Sequence, residues 1–176
     1  KRTIDFEFDY PFGRKELFGL AYRTDFDLKN HKLEYVDEEN NEKMTPHVVE
    51  PSLGVDRAVL ALLLSAYAED TQGGESRAYL KLKPSIAPVI CAVSPLLKNK
   101  PELVKYAEEK VFMPLKAEFG RVAWDDNGNI GKRYRRQDEV GTPFCIVVDF
   151  DTLENNTVTI RDRDTGEQER IKISEL

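Results

Sequence analysis

No run of apolar residues in this 176-residue chain approaches the ~18–20 that a membrane-spanning helix needs, and no secretory leader is visible. No membrane partner is therefore expected, and a cytoplasmic location is. Cysteine is scarce. Cys91 and Cys145 each sit in an apolar run, outside any C-x-x-C arrangement, so a structural zinc site is not expected and buried free thiols are. The two histidines, His31 and His47, have no ligand partners at useful spacing, and no metal site is expected. An excess of positive charge is missing as well: the formal net charge is −6. No global field draws the chain to nucleic acid, so any contact with RNA must use a local basic patch. There is no internal repeat and no low-complexity segment.

What is present is enough for a globular core, with 40% apolar content in a length that fits one large or two small domains. The chain is organised around H-V-V-E-P-S-L-G-V-D-R (His47–Arg57). Val48 and Val49 are β-branched, and Pro51 and Gly54 break the run. Val55, Ala58, Val59, Leu62, Leu63 and Ala66 then recur at helical spacing. With Leu60, Ala61 and Leu64 on other faces, this helix is expected to be well buried. Glu50 closes an apolar strand, and Arg57 sits in the first helical turn, where a cation opposes the macrodipole. An anion at the helix start would explain Arg57, and an ammonium group would explain Glu50. The alternative is an ion pair, Glu50–Arg57 or Asp56–Arg57.

The rest reads as follows. Ile4, Phe6, Phe8 and Tyr10 alternate with Asp5, Glu7 and Asp9 as a half-buried strand, and Glu16–Tyr22 is the next strand. R-T-D-F-D-L (Arg23–Leu28) suits a turn bridged from Arg23 to Asp25 or Asp27, and Asp37–Lys43 suits an exposed hairpin tip. Ala68–Arg77, rich in Gly and charge, reads as a loop or linker, and Tyr79–Pro84 as a short strand. The domain boundary is expected at Pro84–Pro88, giving domains 1–84 and 85–176. Val89–Val93 has the apolar character of a central strand. A helix begins at Pro101, is interrupted by Pro114 near Phe112, and closes at Gly120. Arg121–Trp124 reads as a strand, Ile130–Val140 as a basic helix and Phe144–Phe150 as a strand. Asn155-Asn156 suits a tight turn, with Val158–Arg163 and Glu169–Ile173 pairing across Asp164–Glu167. The fold class is α/β (α+β): a partial antiparallel sheet followed by a mixed α/β domain.

G-K-R-Y-R-R (Gly131–Arg136) concentrates Lys132, Arg133, Arg135 and Arg136 around an aromatic ring, as an RNA-contacting patch does. The alternative is a solvated helix face paired with Asp138, Glu139 and other acids. Arg161 and Arg163 are weaker candidates, since Asp162 and Asp164 alternate with them.

E-P-S-L-G-V-D-R (Glu50–Arg57) resembles motif 3 of the class II aminoacyl-tRNA synthetases, in the form carried by glycyl-tRNA synthetases. Glu16–Leu28 resembles that family's strand before motif 3, and Ile130–Leu153 and Val158–Asp164 resemble its anticodon-binding domain. The resemblance implies the end of a catalytic domain followed by an anticodon-binding domain. Motifs 1 and 2 would then lie before Lys1, which opens directly into strand-like sequence, as in a piece of a longer chain. It also implies ligation of glycine to tRNA(Gly) through glycyl-adenylate, with ATP as substrate, Mg2+ on the triphosphate, no prosthetic group and a homodimer. Arg57 and Glu50 would be the catalytic residues, and Glu50, Pro51, Ser52, Leu53 and Gly54 would bind glycine. Glu16, Leu17, Gly54, Val55, Asp56 and Arg57 would bind ATP. Lys132, Arg133, Arg135, Arg136, Arg161 and Arg163 would contact tRNA. In place of the aromatic–glycine pair that the family carries before Glu16, this chain has Arg14 and Lys15. The rival class is a non-catalytic, synthetase-like accessory subunit that binds nucleic acid.

Overall fold

The computed structural model describes residues 2–176. It packs as two compact units that divide between Ser65 and Ala66. This division falls ahead of the boundary expected at Pro84–Pro88.

The first unit is built on a three-stranded antiparallel sheet in the order β1-β2-β5, from β1 (Arg2–Tyr10), β2 (Gly13–Thr24) and β5 (Val48–Leu53). Between β2 and β5 come a short helix α1 (Phe26–His31) and the two-residue strands β3 (Tyr35–Val36) and β4 (Lys43–Met44). The helix α1 falls where a polar turn was expected, while the Arg23–Asp27 bridge forms as anticipated. Because side chains alternate, the sheet has one apolar and one polar face. Phe6 faces Phe18 across the strands, their rings 5.4 Å apart. The polar face carries Asp5 opposite Gly19, Ser52 opposite Gly19 from the other side, and Glu50 opposite Ala21. The register shifts between Phe6 and Glu7, which leaves Leu17 without a partner and sets Glu16 opposite Glu7 on that same polar side. Gly54 then separates β5 from α2 (Val55–Ala66).

The expectation that α2 is well buried does not hold. Ala61 is buried, but Val55 is 70% exposed and Val59 49%. Leu62 and Leu63 are exposed as well.

The second unit begins with a hairpin, β6 (Tyr67–Gln72) and β7 (Glu75–Leu80), where a linker was expected. The Gly73-Gly74 pair that looked like linker composition is the turn itself, with φ of 62° and 84°. Positive φ at both central residues is the geometry whose twist suits a two-residue hairpin, and glycine adopts it without steric cost.

A five-stranded sheet follows in the order β12-β11-β10-β8-β9. Its strands are β8 (Cys91–Pro95), β9 (Val122–Trp124), β10 (Phe144–Val148), β11 (Thr157–Asp162) and β12 (Gln168–Lys172). β8 runs parallel to both β9 and β10, while β11 is antiparallel to β10 and to β12. Parallel neighbours need crossovers, supplied by α3 (Pro101–Tyr106) with α4 (Met113–Phe119) and by α5 (Ile130–Val140). The core is Val93, Leu103, Val111, Val148 and Val158, all essentially solvent-free. Between α3 and α4 the backbone takes one π-helical turn, Ala107–Phe112. Pro114 brings no N–H to the helical ladder, and the wider turn resets the register just ahead of it. The short helix α6 (Phe150–Asn155) replaces the expected run into a tight turn. Asp149 and Thr152 cap it reciprocally, and Asn156 ends it at φ 54°.

The hairpin is fixed in this unit by charge. Arg77 on β7 is 6% exposed and donates from Nη1 to Asp138 Oδ2 on α5 (2.8 Å) and from Nη2 to Asp70 Oδ2 on β6 (2.8 Å). Arg161 on β11 holds both oxygens of Asp138, at 2.8 and 3.0 Å.

Both cysteines are free and buried, and burial pushes the thiol of Cys91 up to about 11 and that of Cys145 up to about 12. Because the thiolate is the reactive form, neither is expected to react with a thiol reagent at pH 8 in the folded chain. Both should react once denaturant is added. Rapid labelling of either one in the native state contradicts this packing.

A strand-to-helix corner and a basic helix as candidate sites

The junction of β5 and α2 forms a hollow of ≈ 410 Å³ lined by Glu16, Leu17, Ser52, Leu53, Gly54, Val55, Asp56 and Arg57. Eight residues singled out from the sequence therefore come together there. Glu50 and Pro51 do not line it. Pro51 lies opposite Leu20 on the apolar side of the sheet. Glu50 stays on the polar face, two residues from Ser52, and accepts from Arg23 Nη1 at 2.9 Å.

Arg57 is held at the corner from two directions. Its Nη1 donates to the Glu16 carbonyl (2.7 Å), and its own carbonyl accepts from the Tyr10 hydroxyl (3.1 Å). Neither Glu50 nor Asp56 pairs with it, and among the described residues it makes no ion pair. A guanidinium docked by one N–H keeps the rest of its fork for an anion. Arg14 pairs with Asp9 across the β1–β2 turn (2.8 Å), clear of these contacts.

Arg23 ties the polar face of the sheet to the start of α1. Arg23 bridges two carboxylates, Asp27 and Glu50, with bonds that include 2.9 Å to each. Two residues of this arrangement went unassigned in the sequence. Arg23 read as part of a salt-bridged turn that the family resemblance sets beside the active site in support of the sheet, and Gly19 is a lone glycine inside a strand, a known mark of close approach by other atoms. An ideal Cβ on Gly19 would stand 3.0 Å from both Glu16 Oε1 and Ser52 Oγ.

On the second unit the six basic candidates separate into two groups. Arg133, Arg161 and Arg163 are 2%, 4% and 3% exposed, which corrects the expectation that they meet tRNA. The Arg133 guanidinium donates to the carbonyls of Pro95, Asp126 and Gly128. Arg163 donates to the carbonyls of Gly141 (2.8 Å) and Leu82 (3.0 Å). Arg161 is clasped by Asp138 and lies over the Tyr134 ring at 4.7 Å, so that ring face is already occupied. Helical spacing sorts α5: Arg133 and Gln137 share one side, Tyr134 and Asp138 the adjoining one, and Asp138 draws Arg161 inward.

Lys132, Arg135 and Arg136 remain accessible, around a hollow of ≈ 620 Å³ that they line with Asn129, Gly131, Glu75 and Glu139. Arg135 pairs with the exposed Glu75 (2.8 Å), a contact of little worth in water. Arg136 is more committed, donating to the buried Asp125 at 2.6 and 3.1 Å.

Burial alone would push Asp125 up, but the guanidinium of Arg136, the Gln137 amide and the Asn127 N–H outweigh it and hold the carboxyl below its ordinary range. Asp149 is lowered in the same way, with burial opposed chiefly by Arg170. A lowered carboxyl pKa contributes stability that is complete above the unfolded value of about 3.9 and is lost as pH falls through the folded value. The urea midpoint is therefore expected to be flat from about pH 8 to 6 and to fall below about pH 5, with a smaller fall for Arg136→Ala. An unchanged acid profile in that variant contradicts the Arg136–Asp125 pairing.

Among the described residues no helix is long and apolar enough to cross a membrane. Residues 90–176 match the model of the anticodon binding domain. The whole chain is 51% identical over 183 residues to the glycine–tRNA ligase of Clostridium tetani and, over the same length, 51% identical to that of Lachnospira eligens, spanning 38% of each. Against the glycine–tRNA ligase of Macrococcus caseolyticus it is 50% identical over 182 residues, 99% of the chain and 38% of the relative. The chain thus spans little more than a third of the length of these relatives. A solved structure, prolyl-tRNA synthetase of Giardia lamblia in complex with prolyl-adenylate, superposes on 98% of the chain and 35% of its own with a TM-score of 0.67 at 21% identity, a likeness of fold. With half of its residues shared along its entire length, and residues 90–176 matching the anticodon binding domain, the chain belongs to the glycyl-tRNA synthetase family.

Proposed function

We propose that this chain works within an enzyme that ligates glycine to tRNA(Gly), its first unit forming part of the adenylate site and its second unit binding the anticodon. The observation that carries the reading is the corner between β5 and α2. Among the described residues it offers a guanidinium without a carboxylate partner beside a sheet face that carries the Glu50 carboxylate and Ser52. ATP and glycine carry the complementary charges, phosphate toward Arg57 and ammonium toward Glu50.

In this reading the glycine carboxylate attacks the α-phosphorus of ATP, forming glycyl-adenylate and releasing pyrophosphate. A hydroxyl of the terminal ribose of tRNA then takes the glycyl group and AMP leaves. Neither step requires a protein nucleophile, so catalysis rests on positioning and on stabilising charge at phosphorus. Arg57 offers its planar fork to phosphate oxygens, and Gly54 lets the nucleotide approach backbone with no Cβ in the way. Glu16 and Leu17 form the opposite wall, with Val55 and Asp56 at the start of the helix. Glu50 with Ser52 receives the amino group, and Pro51 and Leu53 hold that strand in line. Mg2+ would ride on the triphosphate as part of the nucleotide substrate. On the second unit, Lys132, Arg135 and Arg136 meet tRNA phosphates. Homodimer formation and a cytoplasmic setting belong to the same proposal, and the two free buried thiols suit a reducing compartment.

The test separates the two sites in the intact enzyme. Arg57→Ala should abolish glycine-dependent ATP–pyrophosphate exchange while tRNA binding persists. Lys132→Glu with Arg135→Glu should weaken tRNA binding by about tenfold or more at low salt and leave exchange unchanged. Exchange that survives Arg57→Ala contradicts the adenylate site. Wild-type tRNA binding without exchange points instead to a non-catalytic accessory subunit.

A further inference from the structure

Gly19 occupies the middle of the central strand β2, in one row with Asp5 on β1 and Ser52 on β5. Its backbone gives no reason for glycine, because it is absent from the positive-φ positions and adopts a conformation open to any residue. Glycine weakens a strand interior, so the reason must be spatial. Gly19 is buried although its row mates Asp5 and Ser52 are exposed, and what stands over it is the Glu16 carboxylate on one side and the Ser52 hydroxyl on the other. One step along the same face, Ala21 faces Glu50. The floor between the Glu16 and Glu50 carboxylates is thus made of the two smallest side chains, beneath two acids and a hydroxyl.

We propose that Gly19 is a specificity-determining residue of the amino-acid site. Its missing Cβ leaves open the space where Glu16, Ser52 and the substrate's α-carbon meet. This rests on the assignment of that face to glycine and deepens it: the strand opposite Ser52 limits the site by its lack of a side chain. A methyl group at this position would lie 3.0 Å from both Glu16 Oε1 and Ser52 Oγ and 3.9 Å from Asp5 Oδ1. Both nearer groups would have to give way, and Ser52, which shares the ammonium with Glu50, would be drawn from it. Arg57 is docked on the backbone carbonyl of Glu16, whereas the atom that an added methyl would crowd is the Glu16 side-chain Oε1, so the docking of Arg57 is kept.

The experiment is the glycine and ATP dependence of pyrophosphate exchange in the intact enzyme carrying Gly19→Ala. One added carbon in a tight site changes discrimination by about tenfold or more. The expected result is a glycine KM raised at least about tenfold with ATP KM within about twofold and an unaltered melting temperature. Ser52→Thr, which crowds the same space from the facing strand, should move glycine KM in the same direction and serves if Gly19→Ala does not fold. An unchanged glycine KM in both variants overturns the proposal while leaving the glycine site standing. A parallel rise of both KM values also overturns it, because that is the mark of general damage to the sheet. A wild-type enzyme without glycine-dependent exchange removes the site and this proposal together.

Discussion

Asp138 lies between two guanidinium groups in the interior of the second unit, and the arrangement of the charged residues around it follows from that fact. A carboxylate that is 3% exposed is tolerable only with its oxygens filled, and here Arg161 takes both while Arg77 takes one. Asp70 supplies the second negative charge, so the buried cluster balances at two against two. Tyrosine rings complete it, Tyr79 against Arg77 at 4.2 Å and Tyr134 against Arg161 at 4.7 Å. With Asp138 turned inward, the rotation of α5 is set. Arg133 must then find carbonyls, and Lys132 and Arg135 must face water. A basic helix that looks uniformly cationic in sequence is thus sorted by one acid into structural and accessible cations.

The first unit shows the same logic on a sheet. Alternation gives β1, β2 and β5 one apolar and one polar side, and the polar side gathers acids around the smallest residues of the strands. The corner after Ser52 turns that face into the start of α2, where Arg57 is docked on the Glu16 carbonyl rather than on an acid. Negative and positive binding elements therefore stand side by side without neutralising each other. This is the arrangement needed by a substrate pair of which one member carries an ammonium and the other a chain of phosphates.

Much of this was legible from the residues. Period-two alternation marked Ile4–Tyr10, Pro114 marked the break that became a π-helical turn, and Gly120 and Gly141 marked helix ends, with φ of 70° and 88°. The corner at Gly54 could be read from a strand, a Pro–Gly break and the start of a helical repeat within eleven positions, whereas Glu16 and Leu17 were set beside it only by the family resemblance. What could not be read were the long-range choices. Arg77 and Asp138 are 61 residues apart, and nothing local distinguishes that buried pair from charges on a solvated hairpin. The alternation of Arg161 and Arg163 with Asp162 and Asp164 suggested neighbours neutralising neighbours, whereas Arg161 found its carboxylate on another element. The burial of α2 was overestimated because periodicity reports how apolar a face is, not whether anything covers it. The helix α6 is only six residues long, too short for a periodic pattern to register.

That one carboxylate fixes the hairpin and orients the basic helix is a statement about coupling, and coupling can be measured. Trp124, the single tryptophan, lies in β9 and reports on the second unit alone. A double-mutant cycle of Arg77→Met and Asp138→Leu, followed by its fluorescence through urea unfolding, should give an interaction free energy of at least about 2 kcal/mol. Strictly additive losses would contradict it, and the hairpin would then be held by something other than Asp138.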